Sequence, residues 1–150
     1  MLKKADLSEV KAIYRVINSP AKKGLLLPRS LNFVYEHIRD FWVYKEKSKV
    51  IGCCALHIIG WLDLAEIKSL AVDKNHRGRD IGTSLVAAAL DEAAKLNIKK
   101  VFALTYAPKF FKKLGFKPIS KAKLPHKIWA DCIDCVHFPP CREEALIRDI

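Results

Sequence analysis

No stretch of the 150-residue sequence comes near the roughly 20 consecutive apolar residues that a bilayer-spanning helix needs. The opening MLKKADLSEV has no apolar core of the kind a secretory signal carries. Asp6, with Glu9 three residues on, reads instead as the capped start of an amphipathic helix. There is no internal repeat, no low-complexity stretch, no long basic tract and no recognisable nucleic-acid motif. These absences point to a soluble cytoplasmic protein that neither enters a membrane nor binds nucleic acid. Cysteines are few and odd in number, five in all. Cys53 and Cys54 are adjacent in an apolar run, where they alternate across a strand and cannot form a simple disulfide, so a reducing compartment fits.

What is present is a hydrophobic content of 51 %, enough for one compact domain with a core, and a formal charge of +11. The basic residues are dispersed as pairs such as Lys3-Lys4, Lys22-Lys23, Lys99-Lys100 and Lys112-Lys113. A solvated basic surface accounts for them, and so does a field that gathers a phosphate-bearing cofactor and an acidic substrate.

Along the chain, a short strand at Leu2–Lys4 precedes a helix whose Val10, Ile13, Tyr14 and Ile17 share a face. Residues 18–28 read as a loop, and Ser30 caps a second helix bearing Leu31, Val34, Tyr35 and Ile38. Three hairpin-linked antiparallel strands follow: FWVYKE, VIGCCALHII and LDLAEIKSLAV. A strict two-residue period in the third places Leu64, Glu66, Lys68, Leu70 and Val72 on one face. The strongest helix spans Ile81 to Leu96, VFALTY is a buried strand, Pro108 opens a short helix closed by Gly115, and FKPIS supplies another strand. The last segment is expected to be irregular and to end in a short helix over Glu143–Arg148.

Between the charged strand and the long helix lies DKNHRGRDIGTS. A helix start offers unpaired N–H groups and the positive end of the helix dipole, so a glycine-bearing turn against it suits a pyrophosphate. An ordinary strand-to-helix connection with glycine turns explains the spacing equally well.

LAVDKNHRGRDIGTSLV resembles the acetyl-CoA loop of the GNAT acetyltransferases, whose pattern is Gln/Arg-x-x-Gly-x-Gly/Ala, here running from Arg77 to Gly82. VFALTYAPKFFKKLGF resembles that family's next strand and its helix ending in Leu-Gly-Phe. The resemblance implies an α+β fold, with a mixed, mostly antiparallel central sheet splayed at the CoA site and helices on both faces. It implies acetyl-CoA as co-substrate, held by Leu70, Ala71, Val72, Arg77, Gly78, Arg79, Asp80, Ile81, Gly82 and Thr83. The backbone N–H near Leu70 would polarise the thioester carbonyl as an oxyanion hole does. Asp80 departs from the pattern, standing where the family has its central glycine. Its carboxylate would repel pyrophosphate unless turned to solvent, although Asp tolerates left-handed backbone better than most residues.

Within the family the likeness is to the short, single-domain N-acetylglutamate synthases, and it is carried by GLLLPRS, DLAEIKSLAV and LPHKIWADCIDC. By that resemblance Arg29 clamps a carboxylate of glutamate, Glu66 is the general base and Ser69 lies beside the substrate. Lys68 and Lys127 are candidates for a second anchor, which an amino dicarboxylic acid requires. A mutual ion pair of Glu66 with Lys68 at a sheet edge is the plainer reading of those two residues. Many relatives protonate the departing thiolate with a tyrosine in the FFKKLGF helix. Phe110 and Phe111 occupy that region here, which leaves Tyr106 or solvent as the donor.

Cys132, Cys135 and Cys141, with His126 and His137 nearby, have spacing compatible with a structural zinc site, and equally with buried or redox-active thiols. The domain core is expected over residues 1–123, with 124–150 a cysteine-containing tail packed on it, and a homodimer is left open. Acetyl transfer to a small amino acid, glutamate foremost, is the function these readings favour. The alternatives are a GNAT enzyme for another amine and a catalytically weak CoA-binding module that engages a partner.

Overall fold

The structure is a computed structural model that describes residues 1–21, 29–60, 63–123 and 144–150. Asp6 starts the first helical segment with a full capping box: its side chain accepts from the Ser8 amide, and the Glu9 side chain accepts from the Asp6 amide at 2.9 Å. After one 3₁₀ turn this becomes α1 (Val10–Ala21), which buries Val10, Ile13 and Ile17 completely and leaves Tyr14 largely exposed. Ser30 caps α2 (Leu31–Glu36) by accepting from the Phe33 amide at 3.0 Å, and Val34 is its buried residue.

The strands are β1 (Leu2–Lys4), β2 (Phe41–Glu46), β3 (Lys49–Gly60), β4 (Leu64–Val72), β5 (Lys100–Thr105), β6 (Lys117–Pro118) and β7 (Glu144–Asp149). They form one seven-stranded sheet in the order β1-β2-β3-β4-β5-β7-β6. Every pairing is antiparallel except β4 with β5, which are joined through the crossover helix α3 (Ile81–Lys95), as a parallel pair requires. α1 and α2 cover one face over Phe41, Val43, Cys53 and Ala55. α3 and α4 (Pro108–Lys113) cover the other over Ile51, Cys54, Leu56, Ala65 and Ile67. Cys53 and Cys54 thus belong to opposite cores, as their alternation implies.

Two expectations are corrected. The end of the chain is a strand where a helix was expected: β7 lies between β5 and β6, with Lys100 opposite Asp149 and Thr105 opposite Glu144. Its apolar run Ala145-Leu146-Ile147 has no helical face to bury, and pairing on both sides satisfies its backbone. The second correction concerns β4, whose single charged-and-apolar face is divided by a bulge at Ser69.

Candidate active site

β4 and β5 are hydrogen-bonded from Leu64–Lys100 to Ile67–Ala103, and there the pairing ends although β4 continues to Val72. The break coincides with Ser69, a buried non-glycine residue at φ 54° whose carbonyl accepts from the Cys53 thiol at 3.4 Å. Left-handed backbone at such a residue is costly and persists only where its surroundings enforce it. The register against β3 slips at the same point, between Cys53 and Ala55. Side chains beyond the bulge therefore change sides. Glu66 and Lys68 face α1 and α2, whereas Leu70 and Val72 pack with the α3 core and Ala71 with the α1 core. The strands open into a V whose inner edge is the backbone of residues 69–72.

At the end of β4, Asp73 caps a 3₁₀ turn (Lys74–His76) by accepting from the Asn75 amide at 2.9 Å, which holds its carboxyl below the usual range. Arg77 Nε donates to the Val72 carbonyl at 3.4 Å, and Gly78 takes φ 81° in open space, where a side chain would strain the backbone but not collide. Arg79 forms an ion pair with Glu46 of β2, and the guanidinium keeps the Glu46 carboxyl below its normal range. Asp80 is the residue before α3, at φ 57° and ψ 21°, and its side chain caps nothing. Its carbonyl accepts from both the amide and the hydroxyl of Ser84 at 3.0 Å.

The amides of Ile81, Gly82 and Thr83 precede the first intrahelical donor, the Ser84 amide, so they have no partner within the helix and point out of its end. Ile81 is buried as the helix anchor. A Cβ on Gly82 would lie 3.4 Å from Phe110 and 3.9 Å from Val72, so the start of α3, the end of β4 and the start of α4 converge on one point. Phe111 turns into the core against Phe116, leaving Phe110 as the α4 aromatic beside this point. Tyr106 follows β5 at a bend where the Thr105 hydroxyl accepts from the Ala107 amide at 2.8 Å. Outward amides flanked by two arginines are a donor set that fits a pyrophosphate.

On the α1/α2 face, Glu66 is buried and Lys68 Nζ lies 3.8 Å from its Oε1. The ion pair that was the plainer reading is present, but in mid-sheet: β4 is the central strand, so an edge position is ruled out. Arg29 is held through its backbone by Asn18, whose side chain accepts from the Arg29 amide at 3.3 Å and donates to its carbonyl at 3.1 Å. The Arg29 guanidinium lies 4.4 Å from the centre of the Phe33 ring. Phe33 stacks on His37 at 4.1 Å, and His37 is tilted against His57 at 5.7 Å. His57 is directly opposite Glu66 in the β3–β4 ladder, and its Nδ1 lies 3.1 Å from Asp40 Oδ2.

Ring contacts thus run from Arg29 through Phe33 and His37 to His57, which stands in the strand ladder opposite Glu66, a residue 37 positions from Arg29 in sequence. Asn18, Phe33, His37, Asp40 and His57 were not singled out from the sequence. Of these only His57 carried a signal, a polar ring inside the apolar run of β3. Lys127, Cys132, Cys135 and Cys141 lie outside the described residues, as do His126 and His137. Among the described residues no group of three or more His, Cys, Asp or Glu is placed to hold a metal, and no helix is long and apolar enough to cross a membrane.

Residues 9–116 match the family model described as Acetyltransferase (GNAT) family. The chain is 40 % identical over 149 residues to an uncharacterized N-acetyltransferase of Chlorobaculum tepidum, covering 99 % of this chain and 96 % of that one. It is 38 % identical over 122 residues to an amino-acid acetyltransferase of Mycobacterium tuberculosis, covering 79 % of this chain and 69 % of the relative. Among solved structures, the N-acetylglutamate synthase of Neisseria gonorrhoeae, complexed with coenzyme A and N-acetyl-glutamate, superposes with a TM-score of 0.90 at 26 % identity. That match covers 99 % of this chain but only 34 % of the synthase. With the splayed strands and the glycine turn before α3, these likenesses establish that the chain belongs to the GNAT acetyltransferase family and is an acetyl-CoA-dependent N-acetyltransferase.

Proposed function

We propose that the acceptor is the α-amino group of L-glutamate, so that the chain makes N-acetylglutamate, the entry into arginine biosynthesis, by direct attack on the thioester. The observation that carries this reading is that Lys68 and the buried Glu66 pair on the sheet face covered by α1 and α2, while Arg29 lies over Phe33 of α2 on the same side of the sheet. An amino dicarboxylic acid needs that set: two anchors for its carboxylates and a base for its ammonium group.

Arg29 binds one carboxylate through paired N–H donors, its guanidinium plane oriented by Phe33. Lys68 neutralises the second. Glu66 takes a proton from the ammonium group, directly or through a water, which frees the nitrogen lone pair for attack. The backbone N–H at Leu70, on the inner edge of the V, stabilises charge that develops on the carbonyl oxygen. Tyr106, where β5 turns toward α4, protonates the leaving sulfur in this reading. The residues from Arg77 to Thr83 hold the pyrophosphate, and those from Leu70 to Val72 lie along the arm of the co-substrate. Bound acetyl-CoA supplies the activated acyl group.

The test is thiol release from acetyl-CoA across the amino acids, repeated with Arg29→Ala and Glu66→Gln. Glutamate should be turned over, with Arg29→Ala raising its KM and Glu66→Gln lowering kcat by about 100-fold or more. If glutamate and glutamine are both inert while another amine reacts, glutamate specificity is wrong and the family activity stands.

A further inference from the structure

Acetylation of an ammonium group by a thioester releases one net proton. The nitrogen loses two protons on becoming an amide, and the leaving sulfur keeps one. The other must leave the base before the next turnover, yet Glu66 is only 5 % exposed, in the middle of the sheet. The strand ladder sets His57 directly opposite it on the same face, at a separation that brings cross-strand Cβ atoms to about 4.5–5.5 Å. The His57 side chain is 32 % exposed, so it reaches solvent from the ladder position opposite the buried carboxylate. Its Nδ1 lies 3.1 Å from Asp40 Oδ2, which fixes the tautomer with the proton on Nδ1 and leaves Nε2 able to accept.

We propose that His57, oriented by Asp40, is the positioning residue that returns Glu66 to its carboxylate form by carrying the substrate-derived proton to water. The proposal rests on Glu66 being the base. Glu66 gains the proton from the substrate ammonium and gives it to His57 Nε2, directly or through one water. The resulting imidazolium keeps its Nδ1–H on Asp40 and loses the Nε2 proton to solvent. One proton enters the carboxylate and one leaves the ring, with no other reactant.

The groups facing His57 suit this role. Asp40, from the 3₁₀ turn after α2, stabilises the transient cation, and Glu66 supplies the proton from β4. Lys68 stands beside Glu66 on β4, its Nζ 3.8 Å from Glu66 Oε1. His37, at the end of α2, is tilted against the ring and engaged through its own Nδ1 at 3.0 Å from the Phe33 carbonyl, so it is not a competing acceptor for that proton through this nitrogen. Arg29 stands two rings away, beyond Phe33 and His37.

The experiment compares wild type, His57→Gln, His57→Asn and Asp40→Asn in single-turnover and steady-state rates against pH, with and without added imidazole. The acceptor is whichever α-amino acid the wild type turns over fastest. Either His57 variant, whichever is folded by circular dichroism, should lose about 10- to 100-fold in kcat, within the usual range for proton-transfer groups, with KM for both substrates held within about twofold. The single-turnover rate should fall less than kcat, and imidazole in its neutral form should restore kcat. Asp40→Asn should show a smaller loss of the same kind. Unchanged kcat, a loss that imidazole does not restore, or a parallel rise in KM would overturn the proposal. Full activity of Glu66→Gln would instead remove the base assignment itself, a result separable from the behaviour of His57.

Discussion

Lys68 Nζ stands 3.8 Å from Glu66 Oε1 on the central strand, both side chains nearly enclosed. A cation at that distance offsets part of the cost of burying the carboxylate's charge. Replacing Lys68 by Met removes that offset and leaves the burial. Because the second carboxylate anchor is lost as well, kcat/KM for glutamate at pH 7 should fall on the order of tenfold, as one lost charge-assisted contact implies. An unchanged kcat/KM would show that Lys68 neither anchors the substrate nor supports the base.

Asp80 occupies left-handed backbone at φ 57° at the mouth of the proposed pyrophosphate site, with its side chain outside any cap. Asp80→Gly relieves both the backbone cost and the repulsion, while Asp80→Asn removes only the charge. Glycine should tighten CoA binding about three- to tenfold by calorimetry, equivalent to roughly 0.6–1.4 kcal/mol. Asparagine should recover part of that gain. Weaker binding by both variants would mean that the carboxylate assists the site.

Gly52 of β3 lies under the start of α3: a Cβ there would meet Ile81 and Leu85 side-chain carbons at 3.1 Å and the Ala71 carbonyl at 3.4 Å. Gly52→Ala should destabilise the fold by about 1–3 kcal/mol through overpacking. Because Ile81 must retreat, the first turn of α3 shifts too, and CoA affinity should fall along with the melting temperature. A lower Tm with unchanged CoA affinity would show that the sheet beneath does not position the pyrophosphate turn.

Glu9 is buried between β1, β2 and the first helical turn, with Lys3 at 2.7 Å, Lys45 at 2.9 Å and the Asp6 amide at 2.9 Å. Burial pushes its carboxyl up, but hydrogen bonds from Lys3, the Asp6 amide and Lys45 outweigh it and hold the pKa below normal. A lowered folded pKa contributes stability that is full above the unfolded value of about 4.3 and fades as pH falls through the folded one. Glu9→Gln should cost about 1–3 kcal/mol at pH 7, or roughly 3–10 °C in Tm. The two melting temperatures should converge in acid, and a constant gap down to pH 2 would contradict this linkage.

Local signals in the sequence were enough to place most of the elements. The capping box at Asp6 and Glu9, the serine cap of α2, the hairpin through Lys47-Ser48 and the strong period of α3 all depend on neighbours within a few residues. The turn from Arg77 to Gly82 was legible for the same reason. A helix start and its glycines are local chemistry, and Asp80 was recognisable as a residue that accepts left-handed backbone.

What local pattern could not supply was the result of long-range pairing. The bulge at Ser69 depends on the register with β3 and reverses the faces of Leu70 and Val72, so a strict two-residue period misplaces them. β7 is a strand because β5 and β6 present edges to it, and nothing within Glu144–Asp149 states that. The face shared by Arg29, Phe33, His37, His57 and Glu66 joins a loop, a helix and two strands. The sequence by itself determined which residues could do chemistry, through side-chain type and local spacing. Only the tertiary structure decided which of them meet, because burial and sheet register are settled by the whole chain at once.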